Sequence, residues 1–287
     1  MSAGETPEEY TDVGAGERSR GRPGANHEAM SEPVLVDIDE GVATITINRP
    51  EARNALNRDV RRMLPRAILE LEADDAVDVM ILTGADPAFS AGIDLKELGS
   101  GAATGTRGDL GTDRGALPPR TKLLIGAVNG VAVTGGFEIA LACDFLVASE
   151  HARFADTHAR VGIMPGWGLT VLLPQRIGVA RAREMSVTGN FVDAQLAYEW
   201  GLVNHVLPHA ELLPFCRQLA ADCRSIDQTA VRRMLQTYEE ASRVTLDEAW
   251  AVEDRVSRAW QGDGFDPAEV ERKRQAIIER GRAQTSQ

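Results

Sequence analysis

Aromatic residues are scarce in this chain, 5% of 287 positions, and it holds three cysteines. Cys143, Cys216 and Cys223 stand at no metal-binding or redox spacing, which excludes a zinc knuckle or dithiol centre and leaves buried core thiols as the plain reading. Excess basic charge is missing as well: a net charge of -12 and a pI near 5.0 argue against a nucleic-acid partner. No apolar run reaches the roughly 18 residues of a membrane helix, and the polar, glycine-rich start is unlike a signal peptide. A soluble, cytoplasmic protein without a membrane span is therefore expected. With no metal cluster, P-loop or dinucleotide fingerprint, no metal and no bound cofactor are expected either.

The residues present fall into an ordered pattern. Residues 1–30 are nearly devoid of apolar side chains and cannot offset the entropy of ordering, so a disordered tail is expected, with Met30 as an alternative translation start. Val34–Ile38 and Val42–Asn48 alternate apolar and polar around Asp39-Glu40-Gly41, which predicts a hairpin. Apolar residues at helical spacing predict a helix over 57–73, with Pro65 kinking or restarting it. Val77–Thr83 reads as a buried strand. Residues 99–119, rich in Gly, Thr, Ala and Pro, predict a mobile loop or lid. A capped helix from Asp193 to Gly201, a strand over Leu202–Leu207 and helices beyond His209 complete an α/β pattern.

The stretch from Lys122 to Pro165 carries the chemistry. Leu123–Val128 is suited to a buried strand, and Gly135-Gly136-Phe137-Glu138 opens a helix through Cys143. The first N–H groups of such a helix point outward, and glycine lets an acyl oxygen approach them. That is half of an oxyanion hole.

Three segments, AFSAGIDLKEL, AVNGVAVTGGFEIALACD and FADTHARVGIMPGWG, together resemble the enoyl-CoA hydratase/isomerase (crotonase) superfamily from about Val34 to Pro208, with a continuation to about Arg282. The resemblance implies a crotonase-like α/β fold, a spiral of ββα units with a helical C-terminal trimerisation region. Residues 31–208 would form the core and 209–287 the helical part of a homotrimer or homohexamer. It implies an acyl-CoA thioester substrate, with coenzyme A as part of that substrate. The backbone N–H groups of Ile93 and Gly135 would hold the thioester oxygen, with Gly136 beside them. Arg53 either contacts the nucleotide or is an exposed loop arginine. Ala91 and Lys96 match positions beside the adenine, Lys96 reading equally as a surface lysine, and Trp167 lines the acyl pocket or is plain core.

Hydration of a 2-enoyl thioester takes a base for the attacking water and a proton donor to the α-carbon, and hydratases of the family use two glutamates. Glu138 matches the first; His158 stands where the second belongs. If Asp156 caps a short helix, the helix dipole disfavours a charged His158, and a neutral imidazole accepts a proton or polarises a carbonyl. Asp156 either orients His158 or only caps, and Arg160 pairs with Asp156 or reaches Glu138. The leading reading is a hydratase of fatty acid metabolism. Its alternatives are an isomerase, another crotonase chemistry with one glutamate, and a silent acyl-CoA-binding protein.

Overall fold

Glu40 and Gly41, at φ 45° and 77°, close β1 (Val34–Asp39) onto β2 (Val42–Ile47) as an antiparallel hairpin. A two-residue turn with both φ positive matches the twist of the strands it joins. A computed structural model describes residues 32–100, 112, 115–263 and 266–285. The expected tail and Met30, and most of the expected lid, lie outside the described residues.

Helix α1 (Arg58–Ala73) is capped by the Asn57 side chain, which accepts the Val60 N–H at 3.0 Å. It runs through Pro65 without the expected restart. Val60, Leu64, Ile68 and Leu71 form one buried stripe, and that burial outweighs the backbone hydrogen bond proline removes.

Next come three ββα units, each a long strand, a short strand and a helix. The first is β3 (Val79–Gly84), β4 (Ala88–Ser90) and α2 (Leu95–Gly99); the second is β5 (Leu123–Val128), β6 (Val131–Val133) and α3 (Gly135–Leu141). The third is β7 (Phe145–Ser149), β8 (Arg153–Ala155) and α4 (His158–Val161). The long strands join β1, β2 and the later β10 (His205–Leu207) in a six-stranded sheet, β1-β2-β3-β5-β7-β10, parallel beyond the hairpin; the short strands join the later β9 (Val192–Asp193) in a four-stranded sheet, β4-β6-β8-β9. The chain thus steps from one sheet to the other in every unit. Each step ends in a helix start on the same side, and the chemistry-bearing residues fall at those starts.

The chain continues through α5 (Leu169–Ile177), α6 (Val179–Thr188), β9 (Val192–Asp193), α7 (Ala194–Glu199) and β10 (His205–Leu207). Asp193 caps α7 by accepting the Leu196 N–H at 2.8 Å. Strand β10 is shorter than expected: Leu202 and Val203, 1% and 2% exposed, are buried in a loop. Their burial gave them a strand-like pattern without a ladder partner. Four helices follow, α8 (Leu212–Arg224), α9 (Gln228–Ala241), α10 (Leu246–Asp263) and α11 (Pro267–Thr285).

Alternation along the strands divides the apolar interior. Val79, Ile81, Ile125 and Val147 face Leu212, Cys216 and Ala220 of α8, while Met80, Leu82, Leu124 and Leu146 face the larger cluster containing α1 and α3. The cysteines are free, and burial pushes the Cys143 and Cys216 thiols up to about 12, which leaves them inert.

Close approach between units depends on glycine. A Cβ on Gly136 would lie 2.4 Å from the Ser90 carbonyl oxygen and 2.8 Å from its Oγ. Gly136 is a packing residue: it lets the first turn of α3 rest on the end of β4. We predict that Gly136→Ala destabilises the protein by about 1–3 kcal/mol. An unchanged urea midpoint would refute this close contact.

Candidate active site

Ile93, Gly135 and His158 occupy corresponding places just after the short strands β4, β6 and β8. The turns are pressed together: a Cβ on Gly92, at φ 84°, would stand 2.7 Å from the Val133 carbonyl oxygen and from Thr134 Oγ1. Leu56 fixes the Ile93 turn from the other side, donating to the Gly92 carbonyl at 2.8 Å and accepting the Asp94 N–H at 3.4 Å. These bonds straddle Ile93, and its own N–H is not used in them.

Thr134 precedes α3 at φ 50° and ψ -119°, a costly conformation for a β-branched residue. Its N–H donates to Ala155 at 3.2 Å, and its hydroxyl lies 3.3 Å from that of Thr157. The strained residue turns the chain so that α3 begins at Gly135, whose N–H lies in the first turn, ahead of the first intrahelical bond from Glu138 to Thr134. Nothing in the sequence marks Thr134, because glycine is the residue expected at such a φ.

Glu138 is 2% exposed. Its Oε1 accepts the backbone N–H groups of Trp167 and Leu169 at 2.8 and 3.2 Å. The other oxygen, Oε2, lies 3.4 Å from His158 Nε2. Behind the imidazole, Asp156 Oδ1 meets His158 Nδ1 at 2.6 Å and accepts the His158 N–H at 3.1 Å. A carboxylate–imidazole–carboxylate row results, buried throughout.

That row corrects the expectation of a neutral His158. Helix α4 is one turn long, and Thr157 precedes it without a capping bond of its own, while Asp156 Oδ1, one residue further back, accepts the N–H of its first residue. Burial opposes charge on the imidazole, but hydrogen bonds to Asp156 and Glu138 and their negative charges outweigh it, raising His158 to about 9. The same contacts work on Asp156. Burial alone would raise its carboxyl, yet the bonds from His158 and Ser186 hold it below its usual value. These contacts therefore favour the charged imidazole at neutral pH. Arg160 takes no part, because its guanidinium donates to the Thr188 carbonyl.

Trp167, 4% exposed, belongs to the main apolar cluster and also touches the site. A Cβ on Gly135 would lie 2.7 Å from Trp167 Cζ3 and 3.4 Å from Leu56 Cδ1. Behind it, a Cβ on Gly115 would stand 3.5 Å from the Trp167 carbonyl oxygen, and Ala116 and Leu117 are 0% and 5% exposed. Residues 115–118 of the expected mobile loop are thus buried structure, with Gly115 against the Trp167 turn and Ala116 and Leu117 in the same apolar cluster as Trp167.

Arg53 and Lys96 are exposed, and neither side chain has a protein partner among the described residues. Arg53 lies in the left-handed region at φ 50°, and its carbonyl accepts the Ala91 N–H at 2.9 Å, which joins the two loops. The missed member of this corner is Arg49, which reaches Asp94 at 3.1 Å and the Ala55 carbonyl at 2.7 Å. Asp94 also caps α2, accepting the Lys96 N–H at 3.1 Å.

Known proteins resemble this chain in sequence and fold. A family model described as enoyl-CoA hydratase/isomerase matches residues 37–285. A probable enoyl-CoA hydratase 1, peroxisomal, of Arabidopsis thaliana is 38% identical over 84% of this chain and 91% of its own length. A crotonyl-CoA hydratase of Syntrophomonas wolfei is 35% identical over 77% of this chain and 87% of its own. Among solved structures, an enoyl-CoA hydratase of Mycobacterium tuberculosis H37Rv superposes with a TM-score of 0.68 at 48% identity, covering 79% of this chain and 98% of that one. With its three ββα units and helical C-terminal region, this chain belongs to the enoyl-CoA hydratase/isomerase family.

Proposed function

We propose that the protein hydrates the double bond of a 2-enoyl-CoA thioester in fatty acid metabolism, with a glutamate and a histidinium in place of two glutamates. The observation that carries this is His158 Nε2 at 3.4 Å from Glu138 Oε2, with Asp156 at 2.6 Å behind the ring. In this reading the thioester oxygen sits on the N–H groups of Ile93 and Gly135, where developing negative charge is stabilised. Glu138 takes a proton from water as the hydroxyl bonds to the β-carbon and the π electrons shift toward the thioester oxygen. The His158 Nε2 proton then passes to the α-carbon as the enolate collapses. Transfer of the Glu138 proton to the neutral imidazole restores both groups. Arg53, exposed, would meet a coenzyme A phosphate or the adenine, with Ala91 and the exposed Lys96 beside the adenine.

On the same reading coenzyme A enters only as the substrate's carrier, no separate cofactor is bound, and the enzyme is a cytoplasmic homotrimer or homohexamer. An apolar groove of about 960 Å³ between α9 and α10, lined by Met234, Tyr238, Leu246 and Trp250, supports assembly.

Loss of the conjugated thioester's ultraviolet absorbance with crotonyl-CoA, strongly reduced in His158→Ala, is the expected result. Retained acyl-CoA binding without turnover would favour a silent binder and end the hydratase reading.

A further inference from the structure

We infer that the Trp167 indole closes the acyl side of this site and restricts the enzyme to short acyl thioesters. The inference rests on the proposed placement of the thioester and extends it to substrate class.

Trp167 touches both ends of the reacting unit. Its backbone N–H holds Glu138 Oε1 at 2.8 Å, while its ring lies so close to Gly135 that a Cβ there would meet Cζ3 at 2.7 Å. A thioester carbonyl on the Gly135 N–H and a β-carbon facing Glu138 would therefore run along the indole. The ring cannot swing aside freely. Leu56 reaches the same point on one side at 3.4 Å, Trp167 is 4% exposed, and Gly115 backs its turn. Gly166 and Gly168 flank it, and Gly168 at φ 114° turns the chain into α5. A rigid indole thus occupies space that a longer acyl tail would need.

The hold on Glu138 uses the Trp167 backbone and survives removal of the side chain. Size at residue 167 can consequently be varied separately from the base. Each methylene accommodated or refused in an apolar pocket changes discrimination by roughly 10-fold or more.

The test compares trans-2-butenoyl-, hexenoyl- and octenoyl-CoA with the full-length protein and its Trp167→Phe and Trp167→Ala variants. Wild type is expected to lose at least about 10-fold in kcat/KM from four to eight carbons. The eight-to-four-carbon ratio should rise at least about 10-fold in Trp167→Ala, with Trp167→Phe between. Equal wild-type rates on all three lengths, or an unchanged ratio in both variants, would overturn the inference. Binding of saturated butanoyl- and octanoyl-CoA gives a readout free of turnover. If binding shows the same ratio change while no enoyl thioester reacts, the hydratase reading fails and the size limit stands.

Discussion

Glu138→Gln is expected to lower kcat/KM for enoyl-CoA hydration by roughly 10³-fold, the loss of a general base. The substitution is close to isosteric. Its carbonyl oxygen can keep the two backbone bonds from Trp167 and Leu169, so the turn after Pro165 should hold. The amide, however, faces His158 Nε2 across the present 3.4 Å contact. Two donors would then meet, a conflict relieved when His158 loses its Nε2 proton. Glu138→Gln thus removes the base and weakens the acid together. A variant with kcat/KM within a few-fold of wild type would show that Glu138 is not the base.

The second large effect lies in pH dependence. With His158 raised to about 9, hydration should hold level through neutral pH and fall above about 9 as the acid loses its proton. Asp156→Asn keeps an acceptor for the ring and for the His158 N–H but removes the adjacent negative charge. Without that anion the imidazolium is disfavoured, and the alkaline break should move down by about 1–3 pH units. Asp156 is accordingly a positioning residue, and an unmoved break in Asp156→Asn would show that it only supports the fold. Stability follows the same linkage. His158 has a folded value of about 9 above its ordinary 6.5, so its charge-linked stabilisation is complete below about 6.5 and disappears as pH rises through about 9. The urea midpoint of wild type should fall across that window relative to His158→Gln.

Much of the fold was legible one segment at a time. Alternation in Val34–Ile38 and Val42–Asn48 around Asp39-Glu40-Gly41 announced the hairpin, although beyond Val34 β1 is exposed and β2 is buried on nearly every residue, a difference set by the sheet and not by the strands themselves. The stripe in α1 was equally plain, whereas the restart allowed for at Pro65 misled because the local cost of proline is offset by packing from elsewhere. Leu202 and Val203 misled in the opposite direction. Burial alone leaves the same apolar signature as a ladder, and β10 begins only at His205.

The site divides along the same line. The ββα succession and the spacing of Glu138 and His158 came with the family resemblance; amino-acid order by itself determined the hairpin, the α1 stripe and the glycine opening of α3. It did so because strand alternation, helix starts and glycine turns are set by neighbours within a few residues. The charge on His158, the packing role of Gly136, the strain at Thr134 and the Trp167 wall were decided only in three dimensions. Trp167 is 29 residues from the carboxylate it holds, and His158 is 20 residues beyond Glu138. Their meeting depends on successive units stacking in register. An imidazole's charge answers to every group brought against it, so the Asp156–His158–Glu138 row exists as a chemical unit only after the sheets have formed.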